Sequence, residues 1–333
     1  MPHFLAVDAG GTSSRATVLT ADGTCVGYGT AGGGNPVSAG PEQAATAVVS
    51  ATKQALRGAD LQPDQLISGV AGMAGVSVIT GDDWLAGAFR SAGIPIRPVI
   101  HPDLLAIFAS GSLSLDGYAM VAGTGAIAVR VRGGRIDAVA DGLGWLIGDE
   151  GSGFWIGQQV VRAATAALDG RGPQTALSAL VLQELGIDDD PTPDNLGRPL
   201  GLRNTVDAIY HLRPVDLARF APLAFAVPGD RVATSIIRHA QSALATSLTA
   251  VVQPAVVGPL ILGGSVLVHQ PDLTTPLPQV LTDAGHPADL RPVPDGLPGA
   301  AVLALREAGV AVTAQVQAQI AASLPQARAA AGA

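Results

Sequence analysis

Apolar positions along this chain fall in short blocks broken by glycine, a pattern that predicts strands closed by tight turns. Residues 4–7, 15–19 and 25–29 are apolar runs of strand length. They are joined by Asp8-Ala9-Gly10-Gly11-Thr12 and by Ala21-Asp22-Gly23-Thr24, so together they read as a β-meander. After the loop Gly32-Gly33-Gly34-Asn35-Pro36, the spacing predicts an alanine-rich helix over about 41–56 and a strand at 66–71. A helix around 82–92, a short strand at 98–100 and a helix from about Asp103 complete an α/β unit.

Near Asp116-Gly117 the plan starts again. Residues 118–122 form an apolar strand, Gly123-Thr124-Gly125 the turn, 127–131 the return strand, and Arg132-Gly133-Gly134-Arg135 another hairpin turn. Two copies of one supersecondary unit imply a duplicated, two-lobed chain. A third glycine turn, Gly263-Gly264-Ser265, follows an apolar strand at 259–262. The acidic, proline-rich stretch 188–195 reads as a surface loop, and 313–333 as an Ala/Gln-rich, helix-competent tail with frayed last residues.

Composition narrows the class. At 333 residues, with 48% hydrophobic residues, the chain can bury a large interior and favours two domains; aromatics are only 4%, so close packing through small side chains is expected. The formal charge of -8, without any basic run, argues against nucleic acid as a partner. The single cysteine, Cys25, excludes an intrachain disulfide and a cysteine-built zinc or iron–sulfur site; it reads as a small buried hydrophobe, and a reducing cytoplasm fits. No signal peptide is visible, and prolines and glycines interrupt the most apolar region, 251–268, which speaks against a membrane span. The six histidines show no metal-ligand spacing, and His101 is expected to be structural.

The first turn carries the most chemistry. Glycines without Cβ let backbone N–H groups approach a phosphate, Thr12, Ser13 and Ser14 add hydroxyls, and Asp8 adds a carboxylate suited to Mg²⁺. Asp and Gly are equally at home in an ordinary turn. Asp103, at a strand-to-helix junction, can project into a cleft as a proton acceptor or merely serve the helix start after Pro102. Asp149 and Glu150 precede a helix beginning near Phe154, so they can complement its dipole or, flanked by Gly144, Gly148, Gly151 and Gly153, accept hydrogen bonds from vicinal hydroxyls. Of the two, Asp149 is the favoured ligand residue. Asn35 by spacing alone is a turn residue before Pro36.

The turns at 8–12, 123–125 and 263–265 resemble the two phosphate motifs and the adenosine motif of the sugar kinase, Hsp70 and actin superfamily. Within it, Gly148-Asp149-Glu150-Gly151-Ser152-Gly153-Phe154-Trp155-Ile156-Gly157 resembles the signature of the BadF/BadG/BcrA/BcrD ATPase family, which includes N-acetylglucosamine and glucosamine kinases. The resemblance spans residues 4 to about 307. It implies a two-lobed, duplicated ribonuclease H-like (actin-like ATPase) α/β fold with a central ATP and sugar cleft. The N-terminal lobe would comprise 1–115 plus about 298–333, and the C-terminal lobe 116–297. The last helix of the matching region, about 298–307, would pack back toward the first lobe.

The resemblance also implies roles. Asp8 would hold Mg²⁺ through water, and Gly10, Gly11, Thr12 and Ser13 would wrap the β- and γ-phosphates of ATP. Thr124 and Gly125 would form the second phosphate loop, and Gly263 and Gly264 would pack on adenosine. Asp103 would be the catalytic base and contact the sugar with Asn35, Gly142, Leu143, Gly144 and Asp149. The implied activity is ATP-dependent phosphorylation of an amino sugar, foremost N-acetyl-D-glucosamine on its 6-hydroxyl, with glucosamine or N-acetylmuramic acid as alternatives and a homodimer plausible. A non-kinase ATP-binding switch is the rival of another class; Asp103 and Asp149 together argue against it. Two departures bear on specificity: Leu143 stands where animal N-acetylglucosamine kinases have tryptophan, with Trp145 two positions on, and Ala126 replaces a common serine. Other branches fit less well. Activator ATPases need cluster cysteines, repressor-related glucokinases a cysteine-rich zinc motif, their repressors a helix-turn-helix, and chaperones a peptide-binding domain.

Overall fold

The structure is a computed structural model that describes residues 2–76 and 83–332. The opening meander forms as its pattern predicts: β1 (His3–Ala9), β2 (Ser14–Thr20) and β3 (Cys25–Ala31) pair antiparallel. β1 also pairs parallel with β4 (Leu66–Met73), which pairs parallel with β5 (Val99–Pro102), giving the order β3-β2-β1-β4-β5. The second half repeats this plan. β6 (Gly117–Ala122), β7 (Ala126–Arg132) and β8 (Arg135–Asp141) form the meander, and β9 (Leu260–Gly263) and β10 (Leu290–Pro292) add in parallel, in the order β10-β9-β6-β7-β8. Two sheets of one topology make a duplicated, two-lobed α/β fold.

The central strands are mostly apolar, with Asp8 near the end of β1 an exception, because both of their faces are covered. Along β1, Leu5, Val7 and Ala9 face an outer core completed by α2 (Pro41–Gly58) and α3 (Asp83–Ser91), which follow the short α1 (Pro36–Ala39). Phe4 and Ala6 face the opposite way, into a core shared with α4 (Asp103–Gly111). The expected start of α3 at Asp82 lies outside the described residues, as does the tail's last residue, Ala333. In the second half, α5 (Gly153–Leu168), α6 (Leu177–Leu185), α8 (Arg231–Val251) and α10 (Leu277–Asp283) cover the outer face of the sheet. The remaining helices there are α7 (Leu200–Tyr210) and the short α9 (Ser265–His269).

α4 positions the site. Leu104 through Ala109 are all buried, as a helix apolar on every side must be, and α4 touches β4 of the first sheet as well as β6 and β9 of the second. It also packs closely against α11 (Leu297–Glu307), which in turn packs on β1 of the first sheet. The two helices approach closely because Gly299 has no side chain: a Cβ there would overlap the Ala106 carbonyl. The tail is docked. α12 (Ala314–Ala330) lies on β3, buries Ile320, Leu324 and Ala327, and its Ser323 Oγ accepts a 2.9 Å hydrogen bond from the Cys25 N–H. Among the described residues no helix is long and apolar enough to cross a membrane.

Candidate active site

The first glycine turn is braced from behind. Gly10 N–H donates to the Ser13 carbonyl at 2.9 Å, the Gly10 carbonyl accepts from Gly34 N–H at 2.9 Å, and Ala74 N–H donates to the Ala9 carbonyl at 3.0 Å. Gly11 and Thr12 are left exposed at the tip, and neither makes a hydrogen bond within the described residues. Such a tip can donate amides to an anion. Ser14 departs from expectation. It is fully buried at the start of β2 and its Oγ has no partner, so its hydroxyl is not presented at the tip beside Thr12 and Ser13.

Asp8 sits behind this turn, opposite Arg15 in the β1–β2 register, and accepts from Arg15 Nη1 at 3.4 Å. Its carboxyl is pushed up to about 7, first by burial, then by the charge of Asp295, with a smaller contribution from Asp103; Arg15 and the Gly296 N–H oppose the shift. Asp103 opens α4 at the carboxyl end of β5. Its Oδ1 accepts from Leu104 N–H at 2.9 Å, and burial holds its carboxyl above the ordinary range. The helix-start role is therefore real, and it coexists with an elevated proton affinity. His101 lies at 2.9 Å from Glu307 of α11, a tie between β5 and α11.

The second turn belongs to the other half. The Gly123 carbonyl accepts from Gly153 N–H at 2.8 Å and the Thr124 carbonyl from Phe154 N–H at 3.2 Å, so the start of α5 is fastened to the turn. Ser152 caps that helix, its Oγ accepting from Trp155 N–H at 3.1 Å. Asp149 is thus free of the capping duty. It holds a left-handed backbone, φ 58°, and its Oδ1 accepts from Ala126 N–H at 3.3 Å, which lays the carboxylate along the Thr124-Gly125 turn. Burial, more than the nearby charge of Asp141, raises its carboxyl, while the Ala126 and Gly144 N–H groups oppose the shift.

Asp141 went unnoticed in the sequence. At the end of β8, with φ 61°, its two carboxylate oxygens accept from Asp149 N–H at 2.6 Å and Glu150 N–H at 2.9 Å, closing the Gly142-Leu143-Gly144 loop into a ring. An Asp before a Gly at a strand end was the available signal, since Asp tolerates the left-handed region. Leu143 projects from this loop 65% exposed, and Trp145 packs on Phe154 with ring centroids 5.6 Å apart. Asn35 caps α1, its Oδ1 accepting from Val37 N–H at 2.8 Å, as the turn reading anticipates.

The third turn adjoins the second, with Ser265 next to Gly123. Gly264 has φ 86°, and a Cβ there would strike the Ala122 carbonyl. Gly263 lies over α4, where a Cβ would be 3.0 Å from Ile107. The structure therefore gathers Asp8 and Asp103 in one group, and Thr124, Gly125, Asp149, Gly263 and Gly264 in another. α4 connects them, with Asp103 at its first residue and Ile107 one turn on.

Asp8, Asp103 and Asp295 offer hard oxygen donors, the donor type that Mg²⁺ takes. Among the described residues no three acidic, His or Cys side chains are placed to hold one ion directly.

Paired five-stranded sheets of one topology, with glycine turns at strand ends, define a duplicated, two-lobed α/β protein. The chain belongs to the BadF/BadG/BcrA/BcrD ATPase family, whose profile matches residues 5–284. It is 28% identical over 242 residues to the glucosamine kinase GspK of Vibrio cholerae, covering 72% of this chain and 76% of that one. Over 267 residues it is 26% identical to an N-acetyl-D-glucosamine kinase of Dictyostelium discoideum, covering 75% and 79%. In fold it is similar to a provisionally named N-acetylglucosamine kinase of Chromobacterium violaceum, with a TM-score of 0.69 at 24% identity over 91% of this chain and 99% of the other.

Proposed function

We propose that this protein is an ATP-dependent kinase that phosphorylates an amino sugar, foremost N-acetyl-D-glucosamine on its 6-hydroxyl, with Asp103 as general base. The observation that carries the reading is the juxtaposition of buried Asp8 and half-buried Asp103 at the carboxyl ends of β1 and β5, with Asp103 beside Gly72, the β4 partner of Asp8. The names of the relatives, a glucosamine kinase and an N-acetyl-D-glucosamine kinase, support an amino sugar as the acceptor.

Phosphoryl transfer is mostly positioning and charge stabilisation. In this reading the turn of Gly10, Gly11, Thr12 and Ser13 cradles the terminal phosphates, with the unpaired amides of Gly11 and Thr12 at its tip, Thr124 and Gly125 hold them from the opposite lobe, and Gly263 and Gly264 give the adenosine a surface without side chains. Asp8 would hold Mg²⁺ through water, where the ion would neutralise phosphate charge. Asp103 takes the proton of the attacking hydroxyl at its carboxylate, and burial raises its affinity for that proton. Asp149, fixed by Asp141 and Ala126, accepts from sugar hydroxyls together with Asn35 and the 142–144 loop. The lobes in this scheme are 1–115 with 298–333, and 116–297.

ADP release measured with glucose, glucosamine, N-acetylglucosamine, N-acetylmannosamine and N-acetylmuramic acid tests the reading. Strong stimulation by N-acetylglucosamine is expected. Stimulation by none of them would instead favour a nucleotide-driven switch.

A further inference from the structure

Asp295 and Arg328 lie outside every motif described above, yet they meet beside Asp8. Arg328 projects from the last turns of α12, donates from Nη2 to Asp295 Oδ2 at 2.7 Å, and stacks over the Tyr28 ring at 5.5 Å. Only 9% of the Asp295 side chain is accessible. Its other oxygen accepts from Leu297 N–H at 3.0 Å at the start of α11, and its carbonyl accepts from Ser110 Oγ of α4 at 3.0 Å. The next residue, Gly296, abuts Asp8: a Cβ there would lie 3.0 Å from Asp8 Oδ1. A continuous chain of contacts therefore runs from α12 through Asp295 and Gly296 to Asp8.

We infer that Asp295 and Arg328 are a charge-balanced pair of positioning residues, through which the C-terminal helix sets how strongly the Asp8 site holds a divalent cation. The inference rests on the reading of Asp8 as the Mg²⁺ partner. Arg328 offsets part of the charge of Asp295, so the charge the cation meets beside Asp8 and Asp103 depends on both partners. Asp295 in turn shields the cation from Arg328. Removing one partner exposes the charge of the other. A unit charge uncovered within about 10 Å of a cation, at an effective dielectric of a few tens, changes its affinity by about threefold to tenfold.

The probe is Mn²⁺, titrated by electron paramagnetic resonance into the full-length protein with a non-hydrolysable ATP analogue. Arg328→Met keeps the apolar stem over Tyr28 and should tighten Mn²⁺ binding by about threefold or more. Asp295→Asn keeps the shape, leaves Arg328 unpaired, and should weaken binding by a similar factor. The double variant should return toward wild type, and Arg328→Lys should match it. A structural role alone would shift both single variants the same way, with lowered melting temperatures; that result, or unchanged Mn²⁺ binding in both, overturns the inference. Wild type that binds Mn²⁺ with nucleotide but phosphorylates no sugar would sink the kinase reading and leave this inference standing. Wild type that binds no Mn²⁺ with nucleotide would overturn both.

Discussion

Asp8 should destabilise the protein that depends on it. A carboxyl that titrates near 3.8 in the unfolded chain and at about 7 in the fold binds protons more tightly when native, so ionising it opposes folding. The sign follows: no penalty below about pH 3.8, a growing one as pH rises toward 7, and a constant one above. At about 1.4 kcal/mol per tenfold change in proton affinity, the full penalty is about 4 kcal/mol. Asp8→Asn removes the titration while keeping the shape. Below the native value the neutral carboxyl and the amide are nearly equivalent, so the advantage of the variant should be pH-dependent. Urea unfolding without divalent cations should show the variant gaining on wild type by about 2 kcal/mol more at pH 8.5 than at pH 5.5. Saturating Mg²⁺ with ATP should stabilise wild type far more than the variant, because a ligand stabilises only what binds it. A stability difference that is flat across this pH range would refute the reasoning, since it would mean that Asp8 is ionised in the fold at no cost.

Three further outcomes follow from the same geometry. Asp103→Asn should lower turnover by two or more orders of magnitude while leaving nucleotide affinity nearly intact, checked by steady-state kinetics and by titration of a fluorescent ATP analogue. Asp141→Ala strips the Asp149 and Glu150 N–H groups of their acceptor and should raise the sugar KM several-fold, at a stability loss of about 1–3 kcal/mol in a urea melt; unchanged sugar kinetics would detach the loop from the substrate. Gly299→Ala forces a methyl against the Ala106 carbonyl and should lower the melting temperature by several degrees, with a loss of about 2 kcal/mol or more, because α4 and α11 cannot separate without opening the shared core.

What the sequence disclosed and what it withheld divide along a physical line. Glycine turns, apolar strand runs and the duplicated plan are local, and each appears where the pattern places it, because two-sided burial of the strands, and φ above zero at Gly133, Gly134 and Gly264, constrain residue type position by position. Charge convergence is not local. Asp295 stands in Pro-Val-Pro-Asp-Gly, where an Asp two residues before a helix is an ordinary capping residue, and it does cap Leu297. Nothing in that pentapeptide tells of Arg328, 33 residues on, or of Asp8, far back in β1. Asp149 shows the converse. Its nearness to a helix suggested a dipole role, but Ser152 supplies the cap and α5 starts only at Gly153, so a few residues of offset free the carboxylate to lie along the second turn. Asp103 answers to both descriptions, because a carboxylate that accepts the Leu104 amide in the first turn of α4 is held in place by that bond, while its partial burial raises its proton affinity. The helix-start carboxylate and the elevated proton acceptor are here one side chain. Spacing alone could not choose between them, because packing makes them compatible.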